Sequence, residues 1–175
     1  MYFSKDIVKE GNQILKNVST KVNLPLSSSD LACLKSMYEY VVVSAVDELV
    51  EKFKIRPGVG IAAPQVGVNK RMFAINCVDF LDEKEPRYLL AVINPTILSK
   101  SKEMVYLPGG EGCLSVDREV KGLIHRARRI TVDTYLYNPE DGTLSKEVLR
   151  LKNYPALVFQ HEYDHLIGIL FPQRI

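Results

Sequence analysis

Gln160-His161-Glu162-Tyr163-Asp164-His165 lies ten residues before the C-terminal Ile175. In a helix, about 1.5 Å of rise and about 100° per residue set His161 and His165 one turn apart on one face. Both imidazoles then come within reach of a single small cation. Glu162 is rotated off that axis but stays close enough to touch a metal-bound water. Two neutral nitrogen ligands and a carboxylate that is not itself a ligand are what a hydrolytic metal site needs.

The surroundings favour a helix. Tyr154-Pro155 precedes the stretch, and proline is tolerated in a first turn, where its missing N–H would be unpaired anyway. Nothing else from Pro155 to Ile167 breaks a helix, and Gly168 supplies a stop. Tyr154, Leu157 and Val158 precede His161 by seven, four and three residues, so an apolar wall shares its face. The pattern His-Glu-x-x-His fixes only three positions, which ordinary helices also match by chance. Two histidines are too few ligands, so a third has to come from elsewhere in the chain.

With 175 residues, 46% hydrophobic and 25% charged, the chain is expected to form one domain over 1–175 with a proper core. A net charge of +2 gives no argument for nucleic acid, and there is no specific nucleic-acid motif. No apolar run approaches the ~18–20 residues that span a bilayer, so no membrane partner is expected. Met1 to Asp6 shows neither a signal-peptide core nor an Arg-rich transit pattern, which points to a cytoplasmic protein. Cys33, Cys77 and Cys113 are odd in number and irregularly spaced, as suits free thiols in a reducing compartment. Cys33 and Cys77 read as small buried hydrophobes.

Residues 1–26 read as an irregular or extended arm. Ser27 to Asp30 offer N-caps, and Leu31, Leu34, Tyr38, Val41, Val42, Ala45, Val46, Leu49 and Phe53 then recur at helical spacing. This predicts one helix of about six turns, ended by Pro57-Gly58. Gly58-Val59-Gly60-Ile61-Ala62-Ala63-Pro64-Gln65 lets backbone pass close to a ligand or to another segment. It lacks the glycine of a dinucleotide fingerprint and the lysine of a phosphate loop. Strands are expected at Met72–Cys77, Tyr88–Ile93, Leu123–Arg126 and Ile130–Leu136, with Ser145–Leu151 pairing back across an Asn138–Gly142 turn. Asp79 to Arg87 is a charged loop, and Leu170-Phe171-Pro172 reads as a short last strand. The expected fold is α+β: mainly antiparallel strands packed around a late metal-binding helix, with a long N-terminal helix.

Leu107-Pro108-Gly109-Gly110-Glu111-Gly112-Cys113-Leu114-Ser115 is too glycine-rich for a strand interior and holds a single cysteine. A thiolate needs an electropositive site, and a metal provides one. Three stretches, 58–65, 111–115 and 160–165, now align with the peptide deformylase motifs Gly-Φ-Gly-Φ-Ala-Ala-x-Gln, Glu-Gly-Cys-Φ-Ser and Gln-His-Glu-x-Asp-His, where Φ is apolar. Every fixed position matches, in the family's order and roughly its spacing. The chain resembles that family, whose members remove the formyl group from nascent bacterial proteins.

The resemblance implies that Cys113, His161 and His165 bind one divalent metal, with water in the fourth position. Fe(II) is the native ion in the family, and nickel, cobalt or zinc substitute for it. It further implies that Glu162 is the general base, while the Gln65 amide and the Leu114 backbone N–H meet the oxyanion. Val59 and Gly60 would pair with substrate as an added strand, and Val59, Tyr154, Leu157 and Val158 would hold the methionine side chain. Asp164 would hold a nearby basic group, and Glu111 would brace its own loop. The implied partners are N-formyl-methionyl nascent peptides and, transiently, the ribosome. Ending at Ile175 without a further helix, and carrying Tyr106-Leu107-Pro108 and the Asp79–Arg87 loop, the chain looks like the second bacterial class. A zinc endopeptidase would take its third ligand downstream, but no His, Glu or Asp follows His165. A catalytically silent binding module is the other alternative, and it sits poorly with a complete ligand set and Glu162.

Overall fold

The strand Met72–Val78 serves two cores at once, because its side chains alternate across the sheet. Met72 and Ala74 face one layer, and Phe73, Ile75 and Cys77 face the other. A computed structural model describes all of residues 1–175. Its helices are α1 (Ser28–Val43), α2 (Asp47–Phe53) and α3 (Asn153–Leu166). Its strands are β1 (Gly60–Ala62), β2 (Met72–Val78), β3 (Arg87–Lys100), β4 (Met104–Val105), β5 (Arg126–Ala127), β6 (Arg129–Tyr137) and β7 (Leu144–Lys152).

Five strands form one sheet in the order β1-β2-β3-β6-β7, with every neighbouring pair antiparallel. β4 and β5 make a separate two-stranded ribbon. On one face of the large sheet, α1 buries Leu34, Met37, Tyr40 and Val41 against Ile61, Met72, Ala74 and Ile93. On the other, α3 buries Ala156, Val158, Phe159 and Leu166 against Phe73, Ile75, Val92 and Val132. The Phe73 and Phe159 rings meet edge to face, 4.9 Å between centroids. Each large side chain buried this way contributes about 1.5–3 kcal/mol, so the α+β arrangement follows from both faces of β2 being apolar.

The six-turn helix expected from the Leu31–Phe53 spacing is instead two helices. Val41-Val42-Val43 is a β-branched run, stiff in a helix. After it the chain tightens, with Ala45 N–H donating to Val42 O and Val46 N–H to Val43 O. Val46 is extended, and Asp47 and Glu48 open a new first turn whose dipole favours them. α2 ends at the left-handed Lys54, three residues before Pro57.

Other boundaries also move. The arm 1–26 contains two short 3-10 turns, Ser4–Asp6 and Gln13–Lys16. β3 runs on past Pro95 through a register shift, because Asn94 adopts a positive φ of 51° and its amide grips both backbone groups of Val22. Of Leu123–Arg126 only Arg126 is in a strand. Leu170-Phe171-Pro172 is not a strand: no partner lies beside it, and Pro172 instead sits in the first turn of a 3-10 segment, Phe171–Arg174. Cys33 and Cys77 are buried free thiols.

α3 begins at Asn153, whose amide nitrogen donates to buried Asp79 at 3.0 and 3.2 Å. It stops before Gly168, which has a φ of +74°; a Cβ there would lie 2.7 Å from the Lys16 carbonyl carbon. The helix carrying the two histidines is therefore fixed at both ends by other parts of the chain.

Candidate metal centre

Helical spacing does bring His161 and His165 together on α3, with ring centroids 5.2 Å apart. The glycine-rich loop brings Cys113 to them, held by a tight turn in which Val116 N–H donates to Cys113 O. One ligand atom from each of Cys113, His161 and His165 lies within 4.8 Å of the other two. Cys113 Sγ stands 3.4 Å from His165 Nε2. A thiolate at ~2.3 Å and an imidazole at ~2.1 Å from one tetrahedral cation would be about 3.6 Å apart, so the donor set fits a single divalent metal. Burial and the neighbouring His161 push the His165 imidazole well below its ordinary pKa, leaving it neutral and able to ligate.

Glu111 does more than brace its loop. Its Oε2 lies 2.7 Å from His161 Nδ1, which leaves Nε2 to face the metal position. Arg126 grips Glu111 with two bonds, Nε to Oε1 at 2.6 Å and Nη2 to Oε2 at 3.0 Å, and its Nη1 reaches Asp164 at 2.9 Å. Burial alone would raise the Glu111 pKa, but the hydrogen bonds of His161 and Arg126 take it down to about 2. In the metal-free protein burial likewise opposes charge on His161, while Cys113 and Glu111 hold its pKa up at about 10. Gln160, the first residue of the histidine motif, hydrogen-bonds both backbone groups of Ala127 and so fixes β5, and with it Arg126, against α3. Arg126 is the basic group expected beside Asp164, but it lies outside all three motifs, so only the fold identifies it.

Glu162 is buried, and its Oε2 has no hydrogen-bond partner. Burial lifts its pKa to about 7, against the lowering effect of His161 and Arg126. That suits a group that must both take and return a proton near neutrality. The carboxylate packs directly on Gly60: a Cβ there would stand 2.7 Å from Glu162 Cδ and closer still to Oε1. Any side chain at residue 60 would push the Glu162 carboxylate aside.

Gln65 accepts from Ala62 N–H through Oε1, and its Nε2 donates to Cys113 Sγ at 3.3 Å and to Ser115 Oγ at 3.2 Å. The Leu114 N–H donates to no protein group. Both lie beside the sulfur, on the wall of a cavity of about 420 Å³. Val59, Gly60, Tyr154, Leu157, Val158, His161 and Glu162 line the same cavity, whereas His165 lies behind its wall. The cavity also takes Ser44 and Ala45 from the break between α1 and α2, and Arg56 beyond it. None of the three was expected at the site, since the spacing from Leu31 to Phe53 predicts one unbroken helix with Ala45 in its apolar face. The Tyr154 ring is backed by Phe80 of the charged loop, 5.3 Å between centroids.

The model of one family, polypeptide deformylase, matches residues 4–175. The chain is 49% identical to a peptide deformylase of Halalkalibacterium halodurans, across all of this chain and 92% of that protein. It is 47% identical to peptide deformylase 2 of Geobacillus stearothermophilus, across all of this chain and 91% of that protein. Among solved structures it resembles the Met-Ala-Ser-bound class I type b peptide deformylase of Acinetobacter baumannii. That likeness has a TM-score of 0.68 at 34% identity and covers 97% of this chain and 96% of that one.

Proposed function

The chain belongs to the polypeptide deformylase family, and from that premise we infer that Cys113, His161 and His165 hold its metal. It is a metal-dependent hydrolase that removes the formyl group from an N-terminal formyl-methionine. A divalent ion bound by these residues supplies Lewis acidity and makes water a nucleophile near neutral pH. Fe(II) is the proposed native ion, with nickel, cobalt or zinc able to replace it, since thiolate and imidazole suit all four.

The chain's own groups supply the rest. Glu162, with an unpartnered oxygen and a pKa near neutrality, takes the proton of the attacking water and returns it to the leaving amine. The Gln65 amide, already beside Cys113, and the Leu114 N–H converge on the oxyanion. Each such donor accounts for ~100–1,000-fold in rate.

β1 is an edge strand of the sheet, so the backbone of Val59 and Gly60 pairs with the substrate peptide as one more strand. Val59, Tyr154, Leu157 and Val158 receive the methionine side chain in the cavity. The substrates are nascent peptides met transiently at the ribosome, in the cytoplasm, where free thiols such as Cys33 and Cys77 persist. No helix is long and apolar enough to cross a membrane. Residues 1–175 act as a single catalytic domain, with the site between the sheet, α3 and the Cys113 loop.

The observation that carries this reading is the meeting of one sulfur and two ring nitrogens from separate segments within 4.8 Å. Metal analysis of anaerobically purified protein, alongside formate release from formyl-Met-Ala-Ser, tests it. One metal per chain, lost or exchanged in Cys113→Ser together with turnover, is the expected result. Unchanged metal content in Cys113→Ser would remove that residue from the ligand set.

A further inference from the structure

Residues 171–174 reach His161 by two routes. Phe171 stacks on the His161 ring, 6.1 Å between centroids and 28° between planes. Arg174 donates from Nη2 to Asp164 Oδ1 at 2.6 Å and from Nε to Asp164 Oδ2 at 3.2 Å. The same Oδ2 accepts from Arg126 Nη1, Arg126 holds Glu111 with its other two donors, and Glu111 holds His161. Arg174, Asp164, Arg126, Glu111 and His161 thus form an unbroken series of hydrogen bonds in which the first four members alternate in charge.

The charges explain why Arg174 matters. Asp164, Glu111 and Arg126 are all buried, so two carboxylates face one guanidinium. Arg174, whose side chain is 39% exposed, is the second cation, and it provides the only donor on Asp164 Oδ1. A buried carboxylate left short of a partner carries a large desolvation cost. Without Arg174, Asp164 would compete with Glu111 for Arg126, and the two-pronged hold on Glu111 would loosen. Glu111 is what fixes the His161 nitrogen.

We propose that Arg174 is a positioning residue for the metal site: by completing the partners of Asp164 it keeps Arg126 on Glu111, and so keeps His161 in its ligating orientation. The proposal rests on the metal-site assignment above. Cobalt(II) is the probe, because thiolate-to-cobalt absorption reports the ligands directly, apart from turnover. Metal release into excess chelator is followed for wild type, R174A, R174Q and R174K. Partners of metal ligands typically alter affinity by ~10–100-fold. Arg174 acts from further away, and R174A and R174Q should release cobalt about tenfold faster than wild type. R174K, which restores charge without the two-pronged contact, should release cobalt more slowly than R174A but faster than wild type. In a Glu111→Gln background, where the series is already cut, R174A should add nothing.

Wild-type release from both neutral variants would overturn the proposal. So would a full additional tenfold loss in the Glu111→Gln background. R174Q carries the same expectation if R174A does not fold. A wild-type chain that never develops the cobalt–thiolate band would instead overturn the metal-site assignment.

Discussion

At the scale of single residues, the site depends on how closely Gly60 and Glu162 approach. The Glu162 carboxylate is buried and rests on the Gly60 backbone, so even a methyl group at residue 60 must displace it. Gly60→Ala is expected to cost about 1–3 kcal/mol of stability by overpacking. It should also lower deformylation far more than it lowers metal content, because the displaced group is the proposed base and not one of the proposed ligands. Urea denaturation and formate release measure the two effects separately; a variant with full turnover would show that the carboxylate can act from elsewhere. The sequence showed that Gly58 and Gly60 admit close backbone approach, but not what approaches. Nothing in a linear chain says that residues 60 and 162 touch.

At the scale of elements, α3 does two jobs with two faces. Ala156, Phe159 and Leu166 pack it on the sheet, Leu157 and His161 face the cavity, and Val158 at the border touches both. Counting by threes and fours from His161 was enough to place Tyr154, Leu157 and Val158 on the histidine's side, since a well-formed helix turns spacing into direction. The same counting failed in the first helical region. There Ser44 to Val46 break the run without a proline or glycine to announce it. Leu157→Ala should enlarge the cavity, cutting kcat/KM for formyl-methionyl peptides by ~10–100-fold with metal content unchanged. A comparison with formyl-norleucyl and formyl-alanyl peptides checks this. Equal losses for all three would mean that Leu157 is only core.

At the scale of the molecule, the three motifs come from three distant segments, and the antiparallel sheet with its two helical layers is what gathers them. Cys113 could be singled out only once the three motifs were matched to a family, whereas the α+β class and the α3 helix were readable from local patterns alone. The salt-bridged support was not: Arg126 and its partners are brought together only by tertiary packing. That support gives the metal-free protein a definite acid response. Glu111 has its pKa held at about 2 by His161 and Arg126, below the ordinary 4.5, against the effect of burial. A depressed carboxylate stabilises the fold fully above its unfolded value, and that stabilisation is lost as pH falls through 4.5 towards about 2. The urea midpoint of the metal-free protein should therefore drop between about pH 5 and pH 2, and Glu111→Gln should flatten part of that drop. An identical pH profile in the variant would mean that Glu111 is not the group responsible.

The proposed chemistry needs a metal on Cys113, His161 and His165 working with a separate base, Glu162. Its most direct test is formate release from formyl-Met-Ala-Ser by Glu162→Ala protein carrying one equivalent of metal. The expected result is wild-type metal content with turnover reduced by at least ~100-fold, the lower end for loss of a general base. Turnover at the wild-type rate with the metal in place would contradict it.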